Sequence, residues 1–185
     1  KKLVFDLRAN PGGLLDQAIA VSDFFLRKGE NVVSTRGRAA GSEQTFTAPG
    51  RNSRARIPVV VLINKGSASA AEIVAGAIQD QDRGIVAGQT SWGKGLVQSV
   101  YTLSEGADLA LTTAKYYTPS GRCIQRDYRE FIEYVAPDDE NDADPLLAED
   151  GVRRESFRTA SGRVVYGGGG ITPDVVVKAE KLSRW

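Results

Sequence analysis

No histidine occurs anywhere in the 185-residue chain, and methionine is missing too. Without an imidazole the chain alone cannot assemble a Ser-His-Asp triad, a Cys-His dyad or a His-ligated zinc site. Its one cysteine, Cys123, excludes an intrachain disulfide and a thiolate metal cluster, and leaves the redox compartment open. No apolar run reaches about 18 residues, so nothing reads as a membrane-spanning helix. The charges nearly cancel, 24 basic against 23 acidic side chains, which removes the global electrostatic case for a nucleic-acid partner. Acid–base chemistry is left to Lys, Asp, Glu and Tyr.

What is present is a globular composition, 41% hydrophobic and 25% charged, which argues against wholesale disorder. One domain over residues 1–185 is the default at this length, and it buries roughly 70% of the surface its unfolded chain exposes. The opening Lys1-Lys2-Leu3-Val4-Phe5-Asp6-Leu7-Arg8 reads as a strand already under way, with no initiator Met or signal-peptide pattern. The expectation is a fragment of a longer chain.

Strand formers at 3–7 stop at Asn10-Pro11-Gly12-Gly13, a turn signal. Leu15, Ala18, Ile19, Ser22, Phe25 and Leu26 then recur at helical spacing, with a stop at Arg27-Lys28-Gly29. A strand is expected at 31–35. Residues 36–56 are polar and basic, with five arginines against Glu43 alone, and read as a long loop or a hairpin. The near-continuous apolar run 57–63 fits a strand covered on both faces. A helix at about 69–79 and strands at 84–87, 96–103, 108–117 and 175–177 complete the pattern. Strand–helix–strand alternation favours an α/β layered fold. From about 126 to 165 a charged surface excursion is expected, including the acidic run 138–144. That run is no EF-hand, because Ala143 stands where the sharp turn needs Gly.

Chemistry concentrates where the buried strand ends, at Asn64-Lys65-Gly66-Ser67-Ala68-Ser69-Ala70-Ala71-Glu72. Small residues open the junction, a serine can project its hydroxyl there, and the first helical N–H groups lack intrahelical partners. Those donors can stabilise an oxyanion. Ser69-Ala70-Ala71-Glu72 equally spells a capping box, in which the serine only closes the helix start. Ser67 is a second candidate for either role. Downstream, Gly93-Lys94-Gly95 sets a lysine between two residues without side chains. Free lysine, with pKa about 10.4, is only about 0.04% neutral at pH 7. A lysine base therefore calls for an apolar pocket, with Trp92 a possible wall. Gln98, four residues on, keeps to the lysine's side and can orient its amine without adding charge. Gly93-Lys94-Gly95 is no P-loop, having no Ser or Thr after the lysine.

Five ordered blocks resemble the carboxy-terminal processing (tail-specific) serine proteases. They are Asp6-Leu7-Arg8-x-Asn10-x-Gly12-Gly13, Gly66-Ser67-Ala68-Ser69-Ala70-x-Glu72-Ile73, Gly93-Lys94-Gly95-x-Val97-Gln98, Tyr117-Thr118-Pro119-Ser120-Gly121-Arg122 and Gly170-Ile171-x-Pro173-Asp174. The resemblance implies a crotonase/Clp-protease-like core with a mixed sheet and flanking helices. It implies Ser69 as nucleophile, Lys94 as base and Gln98 as its assistant, with the backbone N–H groups of Gly12 and Ala70 as oxyanion donors. It also implies a protein or peptide substrate cut near its carboxyl terminus, no metal or cofactor, an extracytoplasmic location (periplasmic or membrane-associated), and a PDZ domain in the parent chain. A third serine often present in the nucleophile block is Ala71 here. Two rivals stand beside this reading: a noncatalytic peptide- or lipid-binding module on the same fold, and an acyl-CoA enzyme using a carboxylate base.

Overall fold

The computed structural model describes residues 1–51, 57–126 and 154–177. In chain order the elements are β1 (Leu3–Asp6), α1 (Leu15–Asp23), β2 (Asn31–Gly37), β3 (Gln44–Thr47), β4 (Val59–Ile63), α2 (Ala70–Asp80) and β5 (Ile85–Gly88). They continue with β6 (Leu96–Thr102), β7 (Asp108–Tyr117), β8 (Ser156–Arg158), β9 (Val164–Tyr166) and β10 (Val175–Val176).

The fold is α/β, with parallel and antiparallel pairing in separate sheets. Strands β1-β4-β5-β10 form one sheet in that order, every pair parallel. Strands β3-β2-β7-β6 form an antiparallel second sheet, and β8 pairs with β9 as a hairpin. The apolar strand β4 lies between β1 and β5, where Val61 faces Phe5 on one side and Val86 on the other. A near-continuous Val/Ile/Leu run is what a parallel strand inside a sheet requires.

Helix α2 is buried along all eleven residues and packs against α1, β2 and β5. Its small residues make that possible. A Cβ at Gly76 would lie 2.9 Å from Thr118 Cγ2 and 3.1 Å from Ile171 Cδ1. Ile73, Val74 and Ile78 supply the apolar bulk, each worth about 1.5–3 kcal/mol when removed from water.

The elements depart from the sequence expectation in two places, and of the two readings of the basic stretch the hairpin is the one observed. Helix α1 ends at Asp23, because the chain turns through Phe24 and Phe25 to carry Leu26 into the core, fully buried. The basic stretch is a hairpin closed by β3, with 52–56 outside the described residues. The last part of the expected excursion, 156–166, is the β8–β9 hairpin, docked on the end of α2 by Ala160 N–H donating to Asp80 O at 2.8 Å. The acidic run 138–144 lies outside the described residues.

Candidate active site

The strand β4 delivers the chain to a tight junction in which the two candidate serines differ in burial. Ser67 is fully buried. Its hydroxyl donates to Leu7 O at 2.7 Å and accepts from Asn64 N–H at 3.0 Å. Asn64 Oδ1 in turn accepts from Ala9 N–H and Gly66 N–H at 2.8 and 3.0 Å. Ser67 is thus a weld between the end of β1 and the junction. Ser69 is only half-buried and occupies the N-cap of α2 with φ 54° and ψ −117°. A positive φ at a non-glycine residue costs of order 1–3 kcal/mol and clusters at functional sites. The glutamate half of a capping box is present as well. Glu72 accepts Ser69 N–H at 2.8 Å, and its own N–H goes to Ser69 O at 2.9 Å.

Against this junction lies the turn after β1. Gly12 has φ +104°, and a Cβ there would stand 2.8 Å from Ser69 Cβ and 2.9 Å from Ala70 N. Only a glycine backbone can come that close in that conformation. Gly12 N–H donates to Asn10 Oδ1 at 2.9 Å, while Asn10 O accepts Ala68 N–H at 2.9 Å. Next to Gly12 and Ala70 opens a cavity of about 150 Å³, walled by Phe5, Leu7, Ala18, Val21, Ala71 and Val74, with Asn10 and Gln17 as its polar members. A larger cavity of about 280 Å³, lined by residues including Asp16, Ile19 and Arg51, contains none of the predicted site residues.

The lysine segment is held by its backbone. Five consecutive N–H groups each find a partner in another part of the chain. Ser91 donates to Ile171 O at 3.1 Å and Trp92 to Ser67 O at 2.9 Å. Gly93 donates to Glu72 Oε1 at 2.7 Å, Lys94 to Glu72 Oε2 at 2.9 Å, and Gly95 to Gln125 Oε1 at 2.9 Å. Ser69 N–H and Lys94 N–H therefore share one oxygen atom, Glu72 Oε2. Their nitrogens can be no farther apart than two hydrogen bonds laid end to end.

One expectation is corrected here. Lys94 is exposed, and the described residues form no apolar pocket around it; Trp92 is half-buried, its backbone docked on Ser67. The reason is steric. The flanking glycines face inward, where a Cβ on Gly93 would meet Arg126 Cβ at 2.9 Å and one on Gly95 would meet Gln125 N at 2.6 Å. Arg126 Cβ on one side of the lysine and the Gln125 backbone on the other fill the interior. Gln98 is exposed as well, just past an irregularity between Val97 and Gln98 in the β6–β7 pairing.

Sequence reasoning gave Glu72 one bond, the cap; the structure gives it four. It is fully buried and also receives the Ser91 hydroxyl at 2.5 Å. Burial pushes its pKa up, opposed by the donors Ser91, Gly93, Lys94 and Ser69, and the net direction is upward. The signal available in sequence was a buried-helix glutamate with no basic residue within a helical turn, but its partners lie 19 to 22 residues away.

Comparison with known proteins shows which family the chain resembles. The model of peptidase family S41 matches residues 1–140. The carboxy-terminal-processing protease of Bartonella bacilliformis is 57% identical over 125 residues, 68% of this chain and 29% of that protein. The carboxyl-terminal-processing protease of Synechocystis is 46% identical over 123 residues, 66% of this chain and 28% of that protein. Among solved structures, a photosystem II D1 C-terminal processing protease superposes with a TM-score of 0.66 at 29% identity, over 96% of this chain and 34% of its own. This chain thus spans less than a third of the length of these curated relatives.

Proposed function

The chain belongs to peptidase family S41, and on that premise we propose that it is the catalytic core of a serine endopeptidase working through Ser69 and Lys94. The shared Glu72 oxygen, which brings the backbones of those two residues together, is the observation that carries the reading. The Lys94 amine takes the proton of Ser69 Oγ as that oxygen bonds to the scissile carbonyl carbon, and the carbonyl electron pair moves onto oxygen. Ala70 N–H, at the positive end of α2, donates to the oxyanion. Gly12 N–H joins it by releasing Asn10 Oδ1, since a full negative charge is the stronger acceptor. Collapse breaks the C–N bond, and the Lys94 ammonium protonates the departing amine. Water, deprotonated by Lys94, then cleaves the ester and restores Ser69 Oγ–H. Gln98 orients the amine.

The 150 Å³ cavity beside Gly12 and Ala70 receives the side chain before the scissile bond, and its walls favour a small or medium apolar one. Cleavage near the substrate's carboxyl terminus belongs to the same reading, supported by relatives named as carboxy-terminal processing proteases; an extracytoplasmic location and a PDZ domain in the intact protein are proposed on the family resemblance alone. The noncatalytic rival is favoured by one observation, the exposed Lys94.

The two readings separate in the intact protein. A fluorophosphonate probe labels Ser69, and Ser69→Ala and Lys94→Ala each lower peptide turnover by at least about 1,000-fold. Wild-type turnover in either variant overturns the dyad, and an unlabelled, folded wild-type protein points to a binding module.

A further inference from the structure

A cap needs one oxygen of Glu72, yet this carboxylate reaches both halves of the site. Oε2 accepts Ser69 N–H at 2.8 Å and Lys94 N–H at 2.9 Å, while Oε1 accepts Gly93 N–H at 2.7 Å and the Ser91 hydroxyl at 2.5 Å. Ser91 Oγ accepts Ile171 N–H at 2.6 Å, so its proton is committed to Glu72 and the pair is braced against the 170–171 segment. Each of the four groups donates, and three are amides that cannot accept. This shell suits an ionised carboxylate and has no place for a carboxamide, whose NH2 would face N–H groups.

We propose that Glu72 is a positioning residue of the reaction: with Ser91 bracing it, its carboxylate fixes where the Lys94 amine stands relative to the Ser69 hydroxyl. The proposal rests on the Ser69/Lys94 reading. A second tie, Trp92 N–H to Ser67 O at 2.9 Å, keeps the two segments docked two residues away from each, so displacing Glu72 shifts base and nucleophile relative to one another without separating the segments. A misplacement near 1 Å costs about 100-fold in rate.

The test is steady-state kinetics and pH–rate profiles of the full-length protein with Glu72→Gln, Ser91→Ala and both together. The expected result for Glu72→Gln is a kcat lower by about 100-fold with KM within about threefold. Its profile rises with hydroxide and loses the plateau that a resident amine base imposes. Ser91→Ala, which removes one bond of four, loses about tenfold in kcat, and the double variant is no slower than Glu72→Gln because the two act as one unit. A folded Glu72→Gln enzyme with wild-type kcat, or one that loses thermal stability while its pH profile is unchanged, overturns the proposal. Should Glu72→Gln not fold, Ser91→Ala decides: the altered kcat and profile support the role, and wild-type kinetics refute it. Activity surviving in Ser69→Ala or Lys94→Ala would instead mark failure of the dyad itself.

Discussion

The two ends of α2 each bury a carboxylate, and they keep it by opposite means. At the N-terminal end Glu72 is surrounded by amide and hydroxyl donors, with no basic side chain among its hydrogen-bond partners. At the C-terminal end Asp80 pairs with buried Arg122, whose Nη2 donates to Asp80 Oδ1 at 2.7 Å and to Gln79 Oε1 at 2.6 Å. The helix dipole explains the difference. A negative charge is favoured at the N-terminus, where unpaired N–H groups converge, and disfavoured at the C-terminus, where carbonyls accumulate. Only the second site needs a cation. The front of the helix thereby holds its carboxylate on amide and hydroxyl donors, and the back is bolted down by a guanidinium.

Three substitutions sharpen or break that contrast. Arg122→Ala strands Asp80 in the interior and is expected to cost about 3–5 kcal/mol in urea unfolding. The molecules that remain folded should cleave at the wild-type rate, as counted by active-site titration. A kcat defect without a stability loss would erase the distinction between the two ends. Gly12→Ala acts at the front, adding a Cβ 2.8 Å from Ser69 Cβ at a φ of +104°. On the proposed oxyanion role of the Gly12 N–H, the displacement of that donor predicts a kcat lower by about 100-fold in peptide hydrolysis.

The smallest effect concerns the rim of the back end. Arg163 Nε donates to Asp82 Oδ1 at 2.6 Å and Nη1 to Asp174 Oδ1 at 2.5 Å. Burial raises the pKa of Asp82, but Arg163 and Ser161 outweigh it and hold the carboxyl below its ordinary value. A lowered carboxylate adds stability above its unfolded pKa and loses it as pH falls through the folded one. Arg163→Ala should therefore cost about 0–1 kcal/mol at neutral pH. That difference should shrink towards zero as urea midpoints are followed down through the acid range.

Much of the site was legible in the sequence because it is local. Apolar β4, the small residues after it and Ser69-x-x-Glu72 define a strand, a junction and a capped helix within 20 residues, and the structure follows. The Lys94 loop was found from its two glycines, but its exposure was not, since that depends on Gln125, Arg126 and Glu72 filling the interior. The β8–β9 hairpin was missed for a related reason. Its strands are three residues long and set among charges, and what holds them is α2 and Arg163, contacts that no periodicity encodes.

A machinist measures two holes from a common datum so that errors elsewhere in the workpiece do not accumulate between them. Glu72 Oε2 is such a datum for residues 69 and 94. The intervening 24 positions run through a helix and a strand, yet their tolerances never enter the spacing that matters.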